Sequence, residues 1–197
     1  MTTSRNLRPI TLATVLLAIS GPIAAQPPPK IPPATMATRA EDASVPSGYR
    51  GAGGRVYVGE QAPSFELTSA SEKKVKLSSF QGSRVLLCFT DRREAISAYR
   101  DVADSLRADS VLFVGIARDS PRSLRAVIEK DGLHFEMLSD PTGEVSAIYG
   151  SYDFATSSIR PGYVLVGRTG VVWMALLGQR LPPSDLLQIT RYALAGL

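Results

Sequence analysis

Apolar positions along the chain fall into blocks separated by polar corners. Val85-Leu-Leu-Cys-Phe89 is one short continuous apolar run and Val111-Leu-Phe-Val-Gly-Ile-Ala117 is a second. Runs of this length between turn residues predict strands buried on both faces. After the polar corner Thr90–Arg93 the period changes. Ala95, Ile96, Tyr99, Val102, Ala103 and Leu106 recur at spacings of three and four, which predicts a helix over roughly 93–108. Thr90 or Asp91 is expected to cap that helix, with Glu94 in its first turn, where the dipole favours an acid. The chain around 84–100 is thus a buried strand running into a helix N-terminus. In α/β sheets the carboxyl end of such a strand is where ligands and chemistry collect.

Further on, Asp119-Ser120-Pro121 predicts a helix start with proline in the first turn, and the helix runs through Leu124, Val127 and Ile128 to Gly132. A short strand is predicted at Phe135–Leu138. Asp140 reads as a turn or cap residue, with Glu144 as a first-turn acid in a one- to two-turn helix ending at Gly150. Tyr163–Val166 and Val171–Leu176, joined through Arg168-Thr-Gly170, predict a hairpin, and a helix over Ser184–Ala195 closes the chain. Val75, Leu77 and Phe80 are expected to add core positions before the first long strand. Strands alternating with helices, plus a late hairpin, predict an α/β domain with a mixed central sheet.

The first 55 residues carry no such pattern. Arg5 and Arg8, the apolar stretch Ile10–Ile19 and Ile23-Ala24-Ala25 read as a secretory signal over 1–25, cleaved near Ala25, so the protein is expected to be exported, periplasmic or secreted; the alternative is an uncleaved membrane anchor, for which the apolar run is short. Residues 26–55 are rich in Pro, Ala, Ser and Gly and read as a linker, with the folded domain over 56–197. Gly51-Ala-Gly-Gly54 follows no strand and opens no helix, so it is not a phosphate loop.

Composition narrows the chemistry. The formal net charge is +4, and removing Arg5 and Arg8 leaves about +2, which gives no basic stripe for nucleic acid. One cysteine and one histidine exclude an intrachain disulfide and argue against a metal site of the histidine/cysteine kind. No cofactor is expected.

Five stretches, in order, resemble one family. They are Gly59-Glu-Gln-Ala-Pro-Ser-Phe-Glu-Leu67, Leu77-Ser-Ser-Phe-Gln-Gly82, Ile116-Ala-Arg-Asp-Ser-Pro121, Leu133–Gly150 and Arg160-Pro-Gly-Tyr-Val-Leu-Val-Gly-Arg-Thr-Gly170. Together they resemble the peroxiredoxins of the alkyl hydroperoxide reductase/thiol-specific antioxidant type, within the thioredoxin fold. The resemblance implies a thiol peroxidase or thiol–disulfide exchange ancestry. It also implies a nucleophilic cysteine at the start of the helix after the first central strand, with an arginine to stabilise its thiolate.

Here that cysteine is missing. Its position falls near Ser97 or Ala98 on a peroxiredoxin reading, and at Glu94 and Ser97 on a Cys-x-x-Cys reading. Asp91 and Ala95 stand where the family carries Pro and Thr. Arg160 matches the thiolate-stabilising arginine, three residues before Tyr163, and Pro161 stands where thioredoxins carry a cis-proline. Asp91, Glu94, Ser97 and Arg160 therefore form a degenerate site, and Cys88, within the apolar strand, is the alternative nucleophile. Two arrangements are expected from the residues: a Glu94–Arg160 ion pair replacing the lost thiolate, or a small anion held by Arg92, Arg93 and Arg160. A Ser97–His134 hydrolase has little to support it, and His134 is expected to be a surface or cap residue. The functional expectation is a redox-inactive binding or structural module with a protein partner or a second copy of itself. The alternative is a thiol-dependent peroxidase working through Cys88.

Overall fold

The computed structural model describes residues 54–196. The signal and most of the linker read from the sequence lie outside the described residues. Nine strands and five helices follow in the order β1 (Glu66–Ser69), β2 (Lys74–Lys76), β3 (Arg84–Thr90), α1 (Arg93–Ile96), α2 (Arg100–Ala108), β4 (Val111–Ala117), α3 (Pro121–Asp131), β5 (Glu136–Ser139), α4 (Glu144–Ile148), β6 (Tyr152–Asp153), β7 (Ser158–Ile159), β8 (Gly162–Val166), β9 (Val172–Leu177) and α5 (Pro183–Ala195). Single 3-10 turns occupy Leu77–Phe80 and Ser97–Tyr99.

Seven strands form one mixed sheet in the order β2-β1-β5-β4-β3-β8-β9, and β6 and β7 make a separate two-stranded ribbon. β4 runs parallel to both β3 and β5, while β8 runs antiparallel to β3. This is the mixed α/β sheet that the strand and helix order predicts, in the thioredoxin-type arrangement that the family resemblance implies. β3 lies centrally, so its residues alternate between two fully covered faces. Leu86 and Cys88 enter a core formed with α1–α3 and α5. Val85, Leu87 and Phe89 enter a second core formed with α4 and the segment Val56–Leu67. Each large apolar side chain so buried is worth about 1.5–3 kcal/mol. The sheet thus separates two interiors.

Three local details differ from the pattern read along the chain. The predicted helix over 93–108 is broken into α1, a 3-10 turn and α2. Neither Thr90 nor Asp91 caps it: Thr90 Oγ1 bonds the Arg92 backbone N–H and C=O at 3.1 and 3.2 Å, and the N-cap residue, Arg92, makes no side-chain cap. An uncapped first turn is easily reshaped by tertiary contacts at Ser97 and Tyr99, described below. Val75, Leu77 and Phe80 are only partly buried, packing on the margin of the second core. By contrast, Ser120 accepts from Ser123 N–H at the start of α3, and Gly132 ends it at φ +60°, as predicted. Asp140 also matches its expected role. It is 1% exposed and accepts from Val145 N–H, Ser146 N–H and Ser146 Oγ at the start of α4.

Candidate functional site

The carboxyl end of β3 places the residues of the degenerate site, and they do not converge. Arg93 is drawn to the Asp119 carboxylate and also pairs with Glu94, Nε to Oε1 at 3.0 Å. Those partners hold the Arg93 guanidinium above its ordinary pKa, chiefly through the Asp119 hydrogen bond. Asp91 turns the other way and accepts the Ile159 N–H at 3.3 Å, tying the end of β3 to β7. Ser97 donates to the Asp131 carboxylate at the far end of α3. His134 is exposed, and its carbonyl accepts from Arg107.

Arg160 is on a different wall. Its backbone N–H donates to Ser151 C=O at 2.8 Å, and among the described residues its guanidinium reaches only the Tyr152 carbonyl, at 3.4 Å. The expected Glu94–Arg160 ion pair is therefore not formed, because Arg93 supplies the cation to Glu94 while the backbone bond fixes Arg160 on the α4 side. The three-arginine anion site is not assembled either, since Arg93 is committed to Asp119 and Glu94. All peptide bonds among the described residues are trans, so Pro161 does not reproduce the thioredoxin cis-proline.

Cys88 is 2% exposed. In the sheet it lies opposite Gly115 of β4 and Tyr163 of β8. Above it, Ile96 of α1 packs so closely on Gly115 that a Cβ there would come within 2.3 Å of Ile96 Cδ1. Beside it, Tyr99 and Tyr163 share a hydroxyl hydrogen bond of 2.7 Å. Tyr99 also donates to Leu181 C=O at 2.6 Å, and Tyr163 accepts from Leu181 N–H at 3.1 Å. This pair pins the connection from β9 to α5 over the cysteine. Burial pushes the thiol up to about 12, only partly opposed by the charge of Arg180. Burial likewise raises Tyr99 and Tyr163.

A second concavity lies on the opposite side of the sheet. It is a groove of about 710 Å³ lined by Arg160, Arg55, Tyr57, Tyr152 and Phe154, at the end of the sheet where β8 begins and β9 ends. Gly54 and Arg55, which composition groups with the linker, pack against the domain here, the Gly54 N–H donating to Ala147 C=O at 2.9 Å. Neither Tyr152 nor Arg55 is singled out by the apolar pattern of the chain. The one signal for Tyr152 is the alternation Tyr152-Asp-Phe154, which is too short to stand out as a strand, and nothing in the sequence marks Arg55.

A central mixed sheet, helices on both faces and a strand-to-helix corner lacking its cysteine define a thioredoxin-fold protein of the peroxiredoxin type. Residues 58–174 match the AhpC/TSA family model, and the chain belongs to that family. It is similar to peroxiredoxin Bcp of Escherichia coli strain K12, 34% identical over 98 residues that cover 47% of this chain and 63% of that protein. It is also similar to the chloroplastic peroxiredoxin Q of Populus jackii, 31% identical over 140 residues covering 67% of this chain and 65% of the other. The chain thus spans less than two thirds of the length of these curated relatives. Among solved structures it resembles peroxidoxin BcpB from Mycobacterium tuberculosis, with a TM-score of 0.63 at 19% identity, over 70% of this chain and 97% of the other. That likeness concerns the fold.

Proposed function

We propose that this chain is an exported, redox-silent member of its family, acting as a binding module for a partner or ligand. The observation that carries the reading is the setting of Cys88. It is the only cysteine of the chain, and it sits inside a core with its thiol held protonated. Peroxide reduction needs a thiolate that attacks a peroxide oxygen, becoming a sulfenate as the other oxygen leaves with a proton as water or alcohol. At neutral pH a thiol with a pKa near 12 supplies almost no thiolate, and the Tyr99–Tyr163–Leu181 contacts close the approach. Export rests on the pattern Arg5, Arg8, Ile10–Ile19 and Ala25.

The competing reading, a thiol-dependent peroxidase working through Cys88, draws on the family and on Arg180, whose charge favours the thiolate. The two readings separate in one experiment on the folded protein. A thiol reagent is titrated against rising pH, and sulfenate is followed by mass after hydrogen peroxide. We expect reaction only after unfolding and no sulfenate at modest peroxide. Rapid sulfenate formation in the native state, with a depressed thiol pKa, would establish the peroxidase instead.

A further inference from the structure

The groove on the α4 side of the sheet combines features that the thiol region lacks. Arg55 and Arg160 both line it, and neither forms an ion pair among the described residues. Asp153 is the one carboxylate in the wall, and it is spent on its own turn, accepting from Ala155 N–H at 2.9 Å and Thr156 N–H at 3.3 Å. Two guanidinium charges therefore face one concavity that holds a single carboxylate, and the excess charge within it is positive.

The same concavity is aromatic. Tyr57 is 53% and Phe154 49% exposed at its margin, and Phe154 stands edge-on to Tyr152, ring centroids 5.1 Å apart. The Tyr152 ring is itself fixed, with the Arg118 guanidinium 5.9 Å from its centroid. The half-exposed rings beside guanidinium groups offer a flat apolar surface with cations at its edge.

The wall is backbone where it needs to be thin. At Gly150, φ +76°, a Cβ would meet the Gly54 carbonyl at 2.7 Å, and at Gly54 a Cβ would meet the Ile148 carbonyl at 1.9 Å. These two glycines let the entering chain lie directly on the end of α4, which brings Arg55 and Tyr57 into the same lining as Arg160. The volume, about 710 Å³, is in the range of pockets that take a small organic molecule.

We propose that this groove binds a small organic anion with a planar apolar body, its acid group on Arg55 and Arg160 and its body against Tyr57, Tyr152 and Phe154. Charge complementarity selects the acid, and the exposed rings select a flat apolar partner over a plain inorganic anion. The inference rests on the binding-module reading and gives that module a ligand class. It does not involve Cys88, which lies in the other core.

The test titrates the full chain with naphthalene-2-carboxylate, followed by its fluorescence and by calorimetry. Naphthalene-2-methanol supplies the ring without the charge, and acetate and inorganic phosphate the charge without the ring. We expect saturable binding of the naphthoate, at least tenfold weaker binding of each comparator, and at least tenfold loss in Arg160→Gln and in Arg55→Gln. Phe154→Ala should weaken the naphthoate and leave acetate and phosphate unchanged. All three residues are exposed, so unchanged circular dichroism and melting temperature confirm that the variants fold. No saturable binding, equal binding of phosphate, or naphthoate binding indifferent to both arginine changes would each overturn the proposal. None of those outcomes alters the reactivity of Cys88, so the ligand class and the silent thiol fail separately.

Discussion

At the scale of single residues, Cys88 makes a claim about alkaline stability. Its folded pKa is raised from 9.0 to about 12 by burial. The unfolded chain therefore releases this proton first, and the native state holds it. Stability is fully present below the unfolded value and falls as pH rises from about 9 to about 12, by up to about 1.4 kcal/mol per pH unit. Tyr99, Tyr149 and Tyr163 are also raised by burial and act in the same direction. Urea unfolding at stepped pH should show this decline, and Cys88→Ala should make it shallower between pH 9 and 12. An identical slope in the variant would mean that the thiol ionises as freely in the fold as out of it. The arginines show the opposite situation. Arg93 was read as one of three cations sharing an anion, yet a carboxylate 26 positions along the chain claims it.

At the scale of elements, the packing of α1 over β4 depends on one missing methyl group. Gly115 faces Ile96, and a Cβ would overlap its Cδ1 at 2.3 Å. Gly115→Ala should destabilise the fold by about 1–3 kcal/mol. Adding Ile96→Ala should restore part of the loss, because the smaller side chain removes the collision. A double variant no more stable than the sum of the two single effects would show that the strain lies elsewhere. What the sequence reveals at this scale follows interaction range. The runs 85–89 and 111–117, the Ser120-Pro121 start and the Gly132 stop are visible because strand burial and helix caps are written in neighbouring residues. The break in the 93–108 helix is not visible. It is tied to Ser97 with Asp131 and Tyr99 with Tyr163 and Leu181, partners 34 to 82 positions away. The β6–β7 ribbon escapes notice for a different reason: two-residue strands are too short to show a period. Of the candidate site, the absence of a cysteine at the helix start was legible from residue identity alone. The placement of Arg160 was not, since the carbonyls of Ser151 and Tyr152 that meet its backbone N–H and its guanidinium are backbone groups.

At the scale of the whole molecule, the export reading gives a mass to look for. If the first 25 residues are a cleaved signal, the exported protein begins at Gln26 and lacks Arg5 and Arg8. Intact-mass measurement of protein recovered outside the cytoplasm should find that species. Recovery only inside the cell would remove the export reading, whereas a species outside the cytoplasm that retains residues 1–25 would remove the cleavage alone. The sheet that divides the interior has a consequence of another kind. Because Cys88 and the arginine–aromatic groove belong to different cores, the two sides of β3 can be altered by evolution on separate schedules. A substitution that alters the packing around Cys88 can then leave the wall of the groove in place, and a substitution in the groove can leave the core around Cys88 in place.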